Sequence, residues 1–146
     1  MMLNDVLSTG ALPALEATMR FAGQRNRLLT HNIANLSTPN FQQKDVSPQD
    51  FQQWLSKAVN ERRDRNGGTH GNLEMKSDRQ FVQRKDGSFT IKPLTSNGGV
   101  LAHDRNNRDV EKLMQDLAEN LAAYQVATDL MRSQMGILRT AITERA

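Results

Sequence analysis

The sequence predicts a mainly α-helical chain whose long N- and C-terminal helices pair as a coiled-coil hairpin, with a short helix and an irregular, hairpin-bearing segment between them. Three observations predict it. Near the N-terminus the line Leu12, Leu15, Met19, Ala22, Asn26, Leu29, Ile33 steps by three and four residues. From Val110 a second line does the same through Met114, Leu117, Leu121, Tyr124, Thr128, Met131, Met135, Leu138 and Ile142. Steps averaging about 3.5 residues keep one seam facing a partner helix. Between about Asn60 and Asn107 that period is lost among Gly67-Gly68, Gly71, Asn97-Gly98-Gly99 and Asn106-Asn107.

The first helix is expected from Leu12 or Pro13 to about Leu36, since proline suits a first turn and Ser37-Thr38-Pro39 ends helical geometry. A short helix follows Ser47-Pro48-Gln49-Asp50, in which Ser47 caps and Phe51, Trp54, Leu55 and Ala58 form one apolar stripe. Gln80 to Gln83 and Ser88 to Ile91 flank Lys85-Asp86-Gly87 as a small hairpin, with Phe81, Phe89 and Ile91 on one face. An isolated hairpin is marginal in water, and the composition of this stretch is that of an adaptable linker. The last helix begins near Asn107 or Asp109, with Asp109 and Glu111 at its positive end and Arg139 and Arg145 at its negative end. At ~1.5 Å per residue the two long helices reach about 36 and 50 Å.

Within the hairpin the intrachain seam is predicted to join Leu15, Met19, Asn26, Leu29 and Ile33 to Leu117, Leu121, Tyr124, Thr128, Met131, Met135 and Leu138. Asn26 and Thr128 interrupt it as polar register devices. Each helix carries a second apolar line. Ala14, Ala17, Phe21 and Leu28 mark it on the first, and Ala123, Val126, Leu130 and Ile137 on the last. Burial of one such Leu, Ile or Phe contributes about 1.5–3 kcal/mol, so these lines call for cover. Other subunits would supply it, making Phe21, Leu28, Val126, Leu130 and Ile137 interface residues; the alternative is that the middle segment folds back over them.

Composition bounds the function. The 146 residues suit one domain, 37% are hydrophobic and 5% aromatic, so the core is expected to be thin. There is no cysteine, which removes disulfides and thiolate metal sites. No stretch approaches the roughly 18–20 apolar residues of a membrane span. The first arginine is Arg20 and no basic start precedes an apolar run, so no cleaved secretory signal is expected. His31, His70 and His103 are far apart and lack ligand-spaced partners. No nucleophile, metal or phosphate-loop motif is present. The reading is a non-enzyme with no cofactor and no small-molecule substrate. The net charge of +3 fits a mildly basic surface. Arg62-Arg63-Asp64-Arg65 keeps open an alternative of a different class, a cytoplasmic coiled-coil adaptor for nucleic acid or an acidic partner.

At the end of the first helix stand Asn32-Ile33-Ala34-Asn35-Leu36-Ser37-Thr38-Pro39-Asn40-Phe41. This resembles the Asn-Ile-Ala-Asn-x-x-Thr-Pro-Gly-Tyr signature of bacterial flagellar rod, hook and hook-associated proteins, with Asn40 for Gly and Phe41 for Tyr. The approach to the last helix, Asp104-Arg105-Asn106-Asn107-Arg108-Asp109-Val110-Glu111, with Leu117-Ala118-Glu119-Asn120 and Tyr124-Gln125 beyond it, is similar to the proximal, B-type branch of the basal-body rod family, although Arg105 replaces its usual Gly. The resemblance implies a structural subunit of a hollow drive shaft, assembled with its own copies, other rod proteins and the junction protein on the export gate. It implies export through the flagellar type III apparatus without signal cleavage into the periplasmic rod. It also implies that residues 1–41 and 104–146 form the axial core, with 42–103 inserted between them and Asn32, Ile33, Ala34, Asn35, Thr38, Pro39, Asn40 and Phe41 at the elbow.

Overall fold

The computed structural model describes residues 10–68, 70–95 and 107–144, with the side chains of 107–109 outside that description. Its elements in order are α1 (Leu12–Ala34), β1 (Lys44–Asp45), α2 (Pro48–Asn66), β2 (Phe81–Gln83), β3 (Phe89–Ile91), β4 (Leu94–Thr95) and α3 (Asn107–Thr143). The two long helices pack against each other, and small strands occupy the middle. The expected approach from Asp104 to Asp109 and the charge at Arg145 lie outside the described residues.

Local chemistry sets most boundaries. Pro13 sits in the first turn of α1, where its missing N–H is not needed. The helix ends at Ala34, two residues before the expected Leu36, where the pattern tightens to i→i−3 bonds from Leu36 N–H to Ile33 O and from Thr38 N–H to Asn35 O. The Ser47 hydroxyl accepts the Asp50 amide at 3.2 Å and opens α2. Gly67, at φ 67°, closes α2 by returning its N–H to the Arg63 carbonyl at 2.9 Å. The helix thus runs well past Ala58. Its buried line continues from Ala58 to Arg62, which is 4% exposed.

The hairpin forms at the expected place, pairing Phe81 with Ile91, Val82 with Thr90 and Gln83 with Phe89. A second antiparallel pair, Lys44 with Thr95 and Asp45 with Leu94, ties the residues after the elbow to those after the hairpin. The middle segment is not an adaptable linker. It supplies most of the hydrophobic core: Val46, Phe51, Trp54, Leu55, Ala58, Met75, Phe81 and Phe89 close over Ala17 and Phe21 of α1. Four of the five phenylalanines and the only tryptophan share this cluster. Phe21 stacks on Phe51 with ring centroids 4.1 Å apart, and Trp54 on Phe81 at 4.7 Å. The Trp54 indole donates to the Lys76 carbonyl at 2.7 Å. Gln24 holds the hairpin to α1 from both sides of its amide, donating to Phe89 O and accepting from Ile91 N, both at 3.0 Å.

This arrangement corrects the expectation for the second apolar line of α1. Phe21 is 5% exposed and Leu28 packs against the same cluster, so neither is available to another subunit. The segment that folds back over them is close in sequence and carries the aromatic rings they need. Phe21→Ala is therefore expected to cost about 3–5 kcal/mol in a urea melt followed by Trp54 emission. An unchanged midpoint would mean that Phe21 is not part of the monomer core.

Candidate assembly surface

The pairing of α1 with α3 is antiparallel and pinned by polar groups. Asn120 Nδ2 donates to the Ala22 carbonyl at 2.8 Å, and Arg25 reaches Asp116 at 3.4 Å. Around these anchors α1 buries Leu12, Ala22 and Leu29, and α3 buries Leu113 and Ala127. Leu15, Met19, Ile33, Leu117, Thr128 and Met131 are half-buried along the contact, and Leu138, beyond the start of α1, is also half-buried.

Several seam residues are displaced. The inward line of α3 runs one residue ahead of the apolar heptad, with Leu113 in place of Met114, Asn120 in place of Leu121 and Ala127 ahead of Thr128. Leu121 is 50% exposed, and Tyr124 and Met135 are each more than one-third exposed. The reason is Asn120: its carboxamide must reach the α1 backbone, and the small Ala127 lets the helices approach one turn pair later. On α1 the exposed residue is Asn26, and the inward polar residue is its neighbour Arg25, 3% exposed. The Thr128 hydroxyl bonds back to Tyr124 O on its own helix at 2.8 Å. Neither Asn26 nor Thr128 fixes the register; Arg25, Asp116 and Asn120 do.

Arg25 is the junction of three elements. Its Nε and Nη2 grip the Asp45 carboxylate of β1 at 3.1 and 3.0 Å, and Nη2 also faces Asp116 of α3. Burial alone would lower the guanidinium pKa, but the Asp45 hydrogen bonds and the charges of Asp45 and Asp116 outweigh it and raise it above its ordinary value. The sign follows directly. A cation with a raised folded pKa contributes fully below its unfolded value and loses that contribution only as pH climbs through the folded one, in strong alkali.

The elbow residues divide the work of turning the chain. Asn32, 1% exposed, clips the returning strand: Nδ2 donates to Lys44 O at 2.7 Å and Oδ1 accepts from Lys44 N at 3.3 Å. The Asn35 side chain caps the helix end by donating to His31 O, and its Oδ1 accepts from the Thr38 hydroxyl. Ile33 is half-buried, while Ala34, Thr38 and Pro39 face solvent. Asn40 adopts φ 59°, the left-handed conformation for which glycine is best and asparagine next best. The Phe41 ring then lies 5.5 Å from that of His31.

The large apolar surface left open belongs to α3. Val126, Leu130 and Ile137 are exposed by 59%, 50% and 60% on one flank of the seam, and Met114 and Leu121 stand on the other. With Ala22 opposite Asn120 and Arg25 opposite Asp116, Leu12 lies level with the neighbourhood of Leu130. Among the described residues the last turns of α3, roughly 20 Å, extend past the start of α1. The basic group after Ala58 is not an open phosphate-binding surface. Arg62 is buried and donates to Gly10 O at 2.9 Å, and Arg65 pairs with Glu74 at 2.7 Å. Among the described residues no group of His, Asp or Glu is arranged to hold a metal, and no helix is long and apolar enough to cross a membrane.

Three substitutions test this geometry. Arg25→Ala leaves Asp45 and Asp116 without their partner and is expected to cost about 2–4 kcal/mol, held below the fully buried case by the partial exposure of Asp45. Asn32→Asp turns an oxygen toward Lys44 O and should cost about 1–3 kcal/mol, whereas Asn40→Gly should be neutral or stabilising by up to about 1 kcal/mol. Chemical denaturation read by circular dichroism checks all three, and an Asn32→Asp chain as stable as the parent would remove the clip from this account.

Three relatives fix the context of this surface. The flagellar basal body rod protein FlgB of Bacillus subtilis (strain 168) is 30% identical over 138 residues, covering 94% of this chain and 96% of the relative. The protein of the same name from Salmonella typhimurium (strain LT2) is 28% identical over 131 residues, 85% of this chain and 91% of the relative. That of Borrelia hermsii is 30% identical over 110 residues, 73% and 76% of the two chains. No family-wide sequence profile matches the chain. The full-length agreement with the Bacillus relative spans both long helices, the elbow and the core segment, and the chain belongs to the family of flagellar basal body rod proteins FlgB.

Proposed function

We propose that this chain builds the proximal part of the flagellar rod by packing α3 against neighbouring rod subunits through Val126, Leu130 and Ile137. As a flagellar basal body rod protein it is a structural subunit that assembles with other rod components. The observation that carries the finer reading is the open apolar face of α3. Three large side chains, each half or more exposed, sit on a helix whose seam is already occupied by α1. A monomer gains nothing from leaving them in water, where each forgoes about 1.5–3 kcal/mol. A subunit flanked by copies of itself and by sibling rod proteins would bury them.

In the same reading the terminal helices, residues 1–41 and 104–146, form the axial part of the shaft. The middle residues 42–103 form the outer body, with the elbow as the turn between them. The chain would reach the periplasmic rod through the flagellar export apparatus without losing a signal peptide, and would sit beside the junction protein on the export gate. The low stability implied by a thin core suits passage through a narrow channel.

Deleting the gene in its source bacterium should abolish the rod in purified basal bodies, leave the membrane-embedded ring, and stop swimming, with rescue by the parent chain. Leu130→Arg should fail to rescue while its monomer melts within about 0.5 kcal/mol of the parent, as expected for an exposed position. Normal rods with the arginine variant would remove this face as an interface.

A further inference from the structure

The outer face of the β2–β3 hairpin is basic, and its charged side chains are exposed. Alternation along the strands sends Phe81, Phe89 and Ile91 inward, so Val82, Arg84, Thr90 and Lys92 share the opposite face. Residues 76–92 hold the cations Lys76, Arg79, Arg84, Lys85 and Lys92 against only Asp78 and Asp86. Lys76 is taken by Glu61 at 3.0 Å. The other four are exposed, and none is in an ion pair among the described residues.

The opposite charge is on α3. The first half of α3, residues 107–125, holds Asp109, Glu111, Asp116 and Glu119 against Arg108 and Lys112. Asp116 faces inward to Arg25, while Glu111 and Glu119 are exposed. Within one chain the hairpin packs on the Phe21 side of α1 and α3 packs along its Ala22 side, so α1 stands between the two charged surfaces. Among the described residues no carboxylate of α3 pairs with a hairpin cation, which leaves both surfaces open to another molecule.

We infer that the basic outer face of the β2–β3 hairpin docks on the exposed carboxylates Glu111 and Glu119 of α3 in a second copy of this chain. The contact is heterologous, one surface meeting a different one, so each copy keeps a free hairpin at one end and a free α3 face at the other. Such a contact generates an open helical series unless its rotation closes a ring. Charges of opposite sign also set register and speed encounter more than they add affinity. The inference rests on the reading of this chain as a rod subunit and adds direction to it: the Leu130 face supplies buried area, and the hairpin selects which way the next copy points.

The test uses two surface variants of the full chain, Arg84→Glu with Lys85→Glu and Glu111→Lys with Glu119→Lys. All four positions are exposed, so Trp54 emission and helical circular dichroism should match the parent. Sedimentation velocity should show the parent associating at low salt and dissociating as salt rises from about 0.1 to 1 M, where the screening length falls from ~10 to ~3 Å. Each variant alone should associate at least about tenfold more weakly, because both its surfaces then carry one sign. An equal mixture should recover parent-like association, since each variant complements the other. Variants that associate alone as the parent does, or a mixture that stays apart, would overturn the inference. So would a parent that is monomeric throughout. Association insensitive to these charges but lost in Leu130→Arg would overturn the hairpin contact and leave the α3 face standing.

Discussion

Arg25 is the residue on which the arrangement of this chain depends. Three segments separated in sequence meet at its guanidinium: α1 carries it, β1 grips it through Asp45, and α3 approaches it through Asp116. A buried cation is costly unless every nitrogen finds a partner, so the three elements are held to one mutual geometry. Slipping α3 by one turn along α1 would carry Asp116 about 5.4 Å away and strip Asn120 from the Ala22 carbonyl. Apolar contacts tolerate such a slip and these polar ones do not. Register in this hairpin is a matter of two side chains on α3, with the apolar residues supplying adhesion.

From that junction α1 is used on two sides. One side takes α3, and the other takes an aromatic core built from residues far along the chain. The core cluster contains no residue of α3. The aromatic core and the exposed apolar face therefore belong to different elements. Aromatic rings bury most area per residue, and gathering nearly all of them in one place lets a chain with only 5% aromatic content form a real core. The carboxamides of Gln24 and Asn32 then fix the hairpin and the returning strand to α1 by pairing both backbone polar groups of each strand. A carboxamide suits this task because it offers a donor and an acceptor at fixed spacing.

Features governed by a few neighbouring residues were legible in the sequence. Ser47 and Pro48 marked a helix start, Lys85-Asp86-Gly87 a hairpin turn, and the heptads two long paired helices; all have local causes. The Asn-Ile-Ala-Asn signature also located the elbow, although not the clip that Asn32 makes with Lys44. Features set by distant partners were not legible. Arg25 and Asp45 are twenty residues apart, and Asn120 reaches a backbone carbonyl ninety-eight residues away. Nothing in a periodic pattern marks a polar residue as inward when apolar neighbours compete for the seam, so Asn26 and Leu121 were read as inward in place of Arg25 and Asn120. Phe21 was misread for a related reason. An apolar line shows that cover exists, and the same line fits a neighbour or the chain's own middle segment.

The two second lines consequently had different fates, and the difference is informative. Phe21 and Leu28 lie within reach of a segment rich in rings, while Val126, Leu130 and Ile137 lie on a helix with α1 between it and that segment. Among the described residues the middle segment covers the line on α1 and leaves the one on α3 exposed. A helix apolar over an arc wider than one neighbour can fill is characteristic of helices packed among several others. In a monomer such a width is a liability. In a shaft made of repeated subunits, as proposed above, each added neighbour would bury surface that folding alone leaves in water.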